Sequence, residues 1–289
     1  MKINSSFMEA LDIQIGEVHT LHFSNSYHQM KFRSKINDYF QGKNVESDFV
    51  TIVDDNFLIK EAKEFYYINF DFTSINLETE KETNALVRKV LMYHLNHNQD
   101  LISLFSGIEN AIEEFFLQIN IEYDDLDLEF EITDKVIENM VKAVKVHFNF
   151  KNEEIITNSD IRKLLISSLL DLNMLKKKVF ILLSFPEAEI AKDKLGEFND
   201  YLKGLNVTVL IITSDIELIK KTTSKNLFLM SEYGRKYDII KLQQELEEFM
   251  DIENDHLVIL TNLLAYHDLR EEYLLLDSKY QHFLNSSKI

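Results

Sequence analysis

The chain has 289 residues, 45 % of them hydrophobic, and its 31 basic and 49 acidic side chains leave a net charge of −18. It contains no cysteine, which excludes disulfides, thiolate zinc sites and a cysteine nucleophile. So negative a chain repels nucleic acid unless its few cations are gathered on one surface.

The length allows one large domain or two modest ones. One proline and six glycines leave little room for long linkers or glycine-rich phosphate loops. The first residues, Met1 to Phe7, carry no apolar run of signal-peptide length. No stretch approaches the roughly 18 uncharged apolar residues of a membrane helix. A cytoplasmic protein without a membrane partner is the expectation.

The first third predicts an α/β unit. Residues 13–23 read as a strand, with Gly16 a place for a break, and 26–40 as a helix that Asn25 or Ser26 can cap. Residues 49–53 and 65–72 read as further strands. The pattern then changes. Leu86, Val87, Val90, Leu91 and His94 suggest a helix over 76–96. Leu101, Leu104, Phe105, Ile108, Ile112, Phe115, Phe116 and Ile119 repeat at three-and-four spacing, the stripe of an amphipathic helix. A third helix is expected after Thr133. Such stripes are buried only against each other or another subunit, so 73–142 reads as a helical insertion.

The α/β pattern returns with a short strand at 146–148 and a helix at 158–173, capped by Asn158 or Ser159. Residues 179–184 and 207–213 are continuous apolar runs, as expected of strands buried on both faces. The helix 187–204 between them, ending near Gly204, makes a strand–helix–strand unit and so parallel strands with a right-handed crossover. Residues 226–230 read as a last strand, and 238–250 and 256–275 as helices. The chain thus divides into a first head part (1–72), a helical leg (73–142), a second head part (143–236) and a C-terminal helical extension (237–289).

No phosphate-loop or dinucleotide motif accompanies these strands. Ser24-Asn25-Ser26 follows the first long strand without a glycine, and Phe185-Pro186-Glu187 puts a carboxylate where a phosphate would sit. No G-x-S-x-G elbow occurs, His267-Asp268 is one isolated pair, and His94 and His97 lack a third ligand. An enzyme is not expected.

Charge is unevenly spread. No Lys or Arg occurs from Val90 to Asp134. Within that stretch Asp125, Asp127, Glu129 and Glu131 alternate with Leu126, Leu128 and Phe130. In an extended chain the four acids share one face, with neighbours roughly 6–7 Å apart. Two carboxylates at that separation repel by roughly 2–3 kcal/mol at an effective dielectric near 20. A hard divalent cation, calcium or magnesium, relieves this; a solvated acidic edge is the alternative. Conversely, Lys142, Lys145, Lys151, Arg162, Lys163, Lys176, Lys177 and Lys178 face only four acids between 142 and 178, a local charge of +4. Lys31, Arg33 and Lys35 form a second basic group. The alternative for Lys176 to Lys178 is that they are solvated gatekeepers of the strand that follows.

The order of these stretches resembles the Csn-two family, the spacer-acquisition proteins of type II-A CRISPR systems. The likeness rests on Asp125 to Thr133, on Lys176 to Leu183, and on Tyr201-Leu202 with Leu205 to Leu210; Ile13 to Phe40 matches more loosely. It covers most of residues 1–235. It implies an α/β head with a degenerate P-loop-NTPase-like sheet, mostly parallel, that carries an inserted helical leg and has no catalysis and no nucleotide. It implies a homotetrameric ring that binds double-stranded DNA ends on a basic inner surface. It implies calcium at the acidic strip, where Asp127, Glu129 and Glu131 match the family's acidic positions and Asp125 lies beside them; one acid of the family's run is missing between Phe130 and Ile132. Partner proteins would be the CRISPR integrase and the effector nuclease. Lys31, Arg33, Lys35, Lys142, Lys145, Lys151, Arg162 and Lys163 are the expected DNA contacts. The segment from 237 on resembles the extension of longer members, which implies contacts between subunits; with eleven acids and four bases it should face away from DNA. Two other readings stay open: an acidic scaffold for protein partners, and a nucleotide-dependent enzyme of P-loop ancestry.

Overall fold

The computed structural model describes residues 1–43, 47–73, 88, 92–93, 97–117, 157–173, 176–250 and 252–287. By contacts the chain divides into two compact units. One is Met1–Ser74, Thr157–Ser159 and Leu175–Ile289; the other is Ile75–Ile156 and Asp160–Met174.

The first unit opens with β1 (Lys2–Ser5), β2 (Leu11–Asp12), β3 (Val18–Phe23), α1 (Ser26–Phe40), β4 (Val50–Val53) and β5 (Phe65–Asp71). It resumes with β6 (Lys178–Ser184), a helix over Lys192–Gly204, β7 (Thr208–Ile212), a short helix over Ile216–Lys220 and β8 (Leu227–Met230). Strands β5, β6, β7, β3 and β8 lie side by side in that order, every pairing parallel. This is the parallel α/β sheet that the apolar runs predict. Phe180, Leu182, Leu210 and Ile212 enter one core, while the alternate Ile181, Leu183, Val209 and Ile211 are also buried. A sheet covered on both faces selects such unbroken apolar strands.

Between β2 and β3 the chain turns at Gly16, φ +83°, so residues 13–23 do not form one strand. Residues 49–53 form a strand as expected, and its place is a second, smaller sheet. β4 leaves the parallel sheet and pairs antiparallel with β1, which pairs with β2 on its other side. Helix α1 packs between the two sheets: its Phe32 and Ile36 share one core with Ile3 and Ile52 on one side and Leu21 and Phe180 on the other. The i, i+4 spacing of Phe32 and Ile36 supplies that face. The N-cap is Asn25, whose Oδ1 accepts from the Tyr27 amide at 2.8 Å.

In the second unit α2 (Gln99–Leu117) falls on the amphipathic run at 101–119. α3 (Asn158–Asp171) spans both units and starts at Asn158, so Asn158 and Ser159 lie inside the helix rather than capping it. The expected helix at 76–96 is described only at 88 and 92–93, and the helix after Thr133 and the strand at 146–148 lie outside the described residues.

After β6 the chain does not enter its helix directly. Phe185 is left-handed (φ +58°), Pro186–Ala188 make a 3-10 turn, and α4 begins only at Lys192 and runs to Gly204. The short helix Ile216–Lys220, α5, is capped by Asp215, whose Oδ1 accepts from the Leu218 amide at 3.0 Å.

The last residues form α6 (Ile239–Phe249), α7 (Asn254–Leu269) and α8 (Ser278–Ser287). Leu242 and Leu246 of α6, Leu257 and Leu264 of α7 and Phe283 and Leu284 of α8 share one core with Ile219 and with Leu227 and Leu229 of β8. The C-terminal helices therefore cover a face of the sheet within the same chain. The helix expected at 256–275 stops at Leu269, because Glu271 is left-handed (φ +56°) and Arg270 turns back to Tyr266 and Glu272. Tyr237 Oη donates to Asp268 at 2.5 Å and Tyr273 Oη at 2.8 Å, which ties the start of the segment to its middle. Burial and this hydrogen bond push the Tyr237 phenol well above its usual range and the Tyr273 phenol to about 12.

Candidate ligand cleft and the predicted cations

The sheet order sets where a ligand would sit. From β3 the chain travels to the edge strand β5, steps inward through β6 and β7, and then crosses β3 to reach β8. Connections thus leave β3 and β7 in opposite directions, and open α/β sheets bind ligands outside the strand carboxyl ends at such a switch point. A cleft of about 820 Å³ occupies this position. It is bordered by His22 to Ser24 at the end of β3, by Ser26 and Gln29 of α1, by Ser214 after β7, by Ser231 to Tyr233 after β8 and by Leu269 to Glu272 after α7.

The turn after β3 is closely tied. The amide and hydroxyl of Ser24 both donate to the Met230 carbonyl at 3.0 Å, and Asn25 Nδ2 donates to the Glu232 carbonyl at 3.4 Å. The Asn25 side chain already holds one amide of the first helical turn. Just past Tyr233, Gly234 adopts φ +73°, and a Cβ there would lie 2.5 Å from the Phe7 carbonyl oxygen. That turn requires glycine.

Charges around the cleft are mainly negative. Glu232, Glu271 and Glu272 border it against Arg270. The guanidinium donates to Glu272 Oε1 through Nε and to the Tyr266 hydroxyl through a terminal nitrogen, both at 2.8 Å. Farther along the strand ends, Glu187 Oε1 accepts from the Ser214 amide at 2.8 Å. His22 is 2 % exposed, and burial pushes its imidazole below the usual histidine range, partly offset by its hydrogen bond to Thr213. These groups are too far apart in sequence to form a motif, and composition gave no sign of them.

The predicted cations fall in several places. On α1, Lys31 Nζ lies 3.0 Å from Asp48 and 4.7 Å from the centroid of the Phe7 ring. Its hydrogen bond holds the Asp48 carboxyl below the usual range. Lys35 lies 3.6 Å from Asp38. Arg33 pairs with Asp71 at the end of β5 and stacks over Phe185 at 5.5 Å. Alternate residues on a helix are about 200° apart, so Lys31 and Lys35 share a face that Arg33 leaves. The three are therefore not one patch. Arg162 is buried, 4 % exposed, and Lys163 is half-buried. Lys142, Lys145 and Lys151 lie outside the described residues, as do Asp125, Asp127, Glu129 and Glu131. Among the described residues no group of three or more His, Asp or Glu side chains is arranged to hold a metal. His97 Nδ1 contacts the Tyr93 carbonyl at 2.8 Å. No helix of the described residues is long and apolar enough to cross a membrane.

These features define an α/β protein built on a five-stranded parallel sheet flanked by helices. No family model and no curated protein matches the sequence. Among solved structures the chain is similar to Stu0660 of Streptococcus thermophilus, with a TM-score of 0.64 and 16 % identity over 88 % of this chain and 81 % of that one. At that identity the likeness is one of fold.

Proposed function

We propose that this chain is a non-catalytic protein that binds double-stranded DNA through the phosphate backbone as a homotetrameric ring, with calcium rather than magnesium at the acidic strip 125–131. On this reading it supports CRISPR spacer acquisition beside the integrase and the effector nuclease. The observation that carries it is the separation of charge along the sequence: no cation between Val90 and Asp134, then eight against four acids from 142 to 178, in a chain of −18. Cations gathered against the overall charge suit a polyanion. The cleft argues in the same direction by what it disfavours. A glycine-free turn, an Asn25-capped helix and three bordering carboxylates suit a nucleotide triphosphate poorly, which weakens the P-loop-enzyme reading.

Gel shifts on linear and closed-circular duplex at two salt concentrations test the reading. Retention of linear duplex should weaken steeply with salt, log K falling by about 0.9 per phosphate contacted per log unit of salt, with no base preference. Failure to retain either DNA, or salt-insensitive retention, refutes it. Calcium should raise the melting temperature by mass action, and Asp127→Asn with Glu129→Gln should remove that rise. A calcium response unchanged in the double variant refutes the assigned ligands.

A further inference from the structure

At the amino ends of β3 and β8, away from the strand-end cleft, a groove runs between α4 and the turn after α5. We propose that it binds the phosphate group of a small phosphate monoester, held between Lys203 and Lys221 with the Asn199 amide at its floor.

The groove has two parts. One, of about 350 Å³, lies against the start of β3, and the other, of about 450 Å³, continues along α4 to Lys192. Asn199, Lys203 and Lys221 line both, so the parts meet at these three residues. Asn199 lies on the inner face of α4, four residues after Leu195 and three before Leu202, and is 8 % exposed. Among the described residues its side-chain amide makes no hydrogen bond, and neither of its polar atoms is sealed from solvent as His19 Nδ1 and His22 Nε2 are. A side chain this deep ordinarily has a partner, and an open amide beside a groove is a place for one. Charge says which kind. In the smaller part Lys203, Lys221 and Lys225 stand against a single acid, Glu17, whose carboxylate already accepts from Asn226 at 2.6 Å and from Lys225 at 3.3 Å. Lys203 has a loose pair with Asp200 at 3.5 Å, both side chains being largely exposed, and Lys221 has no ion pair among the described residues. Gly196 brings Lys221 to the groove: its Nζ lies 4.0 Å from where a Cβ would stand, against α4 and one turn before Asn199. Two lysines and an open amide in a chain of −18 call for an anion. Ammonium groups are point charges that suit a tetrahedral oxyanion, whereas a flat carboxylate is better matched by the fork of an arginine. Asn199 Nδ2 adds a donor, and Oδ1 can accept from a hydroxyl of the ester. The part toward Lys192 leaves room for the carbon skeleton of a small ester and none for a duplex.

The experiment is calorimetry with inorganic phosphate and with glycerol 3-phosphate on the full chain, at an ionic strength held constant with sodium chloride. Saturable binding is expected for both, and acetate should not bind. Lys203→Gln with Lys221→Gln should lower the affinity by about fivefold to tenfold, as expected for the loss of two exposed ion pairs. Both positions are exposed, so the variant should fold, and far-UV circular dichroism checks that it does. Lys63→Gln with Lys279→Gln, exposed and outside the groove, removes the same charge elsewhere and should leave the affinity unchanged. Asn199→Leu separates a ligand site from a structural role: it should weaken phosphate binding and yet raise the melting temperature of the ligand-free chain, because it removes an unpaired amide. The proposal is overturned by no binding, by equal losses in the two lysine variants, or by a lower melting temperature in Asn199→Leu. Displacement of glycerol 3-phosphate by linear duplex also overturns it, since the groove would then serve the nucleic-acid backbone. The other outcomes stand whether or not the chain retains duplex, which is measured separately.

Discussion

Asn262 decides whether the C-terminal helices belong to the fold or merely rest on it. The residue lies on α7 and is fully buried. Its Nδ2 donates to three carbonyls around the end of α5: Thr222 at 2.6 Å, Ile219 at 3.3 Å and Lys220 at 3.4 Å. The Ile219 carbonyl has a second donor in the Thr222 amide at 3.2 Å, so Asn262→Leu leaves Thr222 and Lys220 to lose theirs. An orphaned buried acceptor costs about 1–3 kcal/mol, and partial relaxation at the helix end puts the expected total at about 2–4 kcal/mol. That is a large share of the roughly 5–15 kcal/mol that holds a typical domain. Urea unfolding followed by circular dichroism measures it: the midpoint should fall while the slope stays constant, because the exposed area on unfolding is unchanged. Native-state hydrogen exchange should also show faster opening of β8, whose Leu227 and Leu229 belong to this core. A loss under about 0.5 kcal/mol, or exchange accelerated only in α6 to α8, would show that the helices open independently of the sheet.

Three further outcomes follow from the same geometry. His19 and His22, buried on β3, are both held below the usual histidine range chiefly by burial, so the unfolded chain takes up protons first as pH falls through about 6.5. Stability is full above that pH, declines between it and the lower folded-state values, and then levels off; a urea midpoint constant from about pH 7.5 to 5 refutes this. Gly234→Ala adds a left-handed alanine and a Cβ 2.5 Å from the Phe7 carbonyl, so a loss of about 2–4 kcal/mol in the same unfolding assay is expected, and a neutral result refutes the tightness of that turn. Arg162→Ala should lower the melting temperature and leave the salt slope of DNA binding unaltered because the side chain is buried, whereas Lys145→Ala should reduce that slope by about 1; the reverse pattern refutes the assignment.

The parallel sheet was legible because its strands are buried on both faces: 179–184 and 207–213 need unbroken apolar runs, and those predict β6 and β7 within a residue or two. α1 was legible because Asn25 caps it, and the structure bounds it at the predicted residues 26–40. β1 escaped notice, since Lys2-Ile3-Asn4-Ser5 buries a single residue fully and owes its form to pairing with β4, fifty residues away. The break at Arg270 escaped for a similar reason: Glu271 is held left-handed by contacts among Tyr266, Asp268, Glu272 and Tyr273 rather than by a glycine or proline. The cleft was illegible because its members come from four separate segments that only the sheet order unites. Exposure of cations was illegible too. Alternation made Lys31, Arg33 and Lys35 look like one group, yet helical geometry and the acids Asp48, Asp71 and Asp38 send them to different partners.

Those partners yield a sharper test of the duplex-binding reading. The Lys31–Asp48 pair is partly exposed, and ion pairs near the surface are weak, so phosphate can displace Asp48 from Lys31 at small cost. Arg33 is a different case: its guanidinium is both paired with Asp71 and stacked over Phe185 at the strand ends, and releasing it disrupts that packing. If Lys31 meets the backbone, Asp48 is its competitor, and removing that charge should strengthen DNA binding. Asp48→Asn keeps the oxygen that accepts from Ser6 Oγ at 3.3 Å, so the local turn is preserved. Affinity for linear duplex should then rise by about 1.5-fold to 5-fold at low salt, with the gain shrinking as salt screens the pair. Loss of one negative charge from a chain of −18 produces a small general gain in any case, so Asp277→Asn, an exposed acid in the C-terminal helical segment, supplies the baseline. Equal affinity for the two variants would remove Lys31 from the contact surface and leave duplex binding to the cations between 142 and 178.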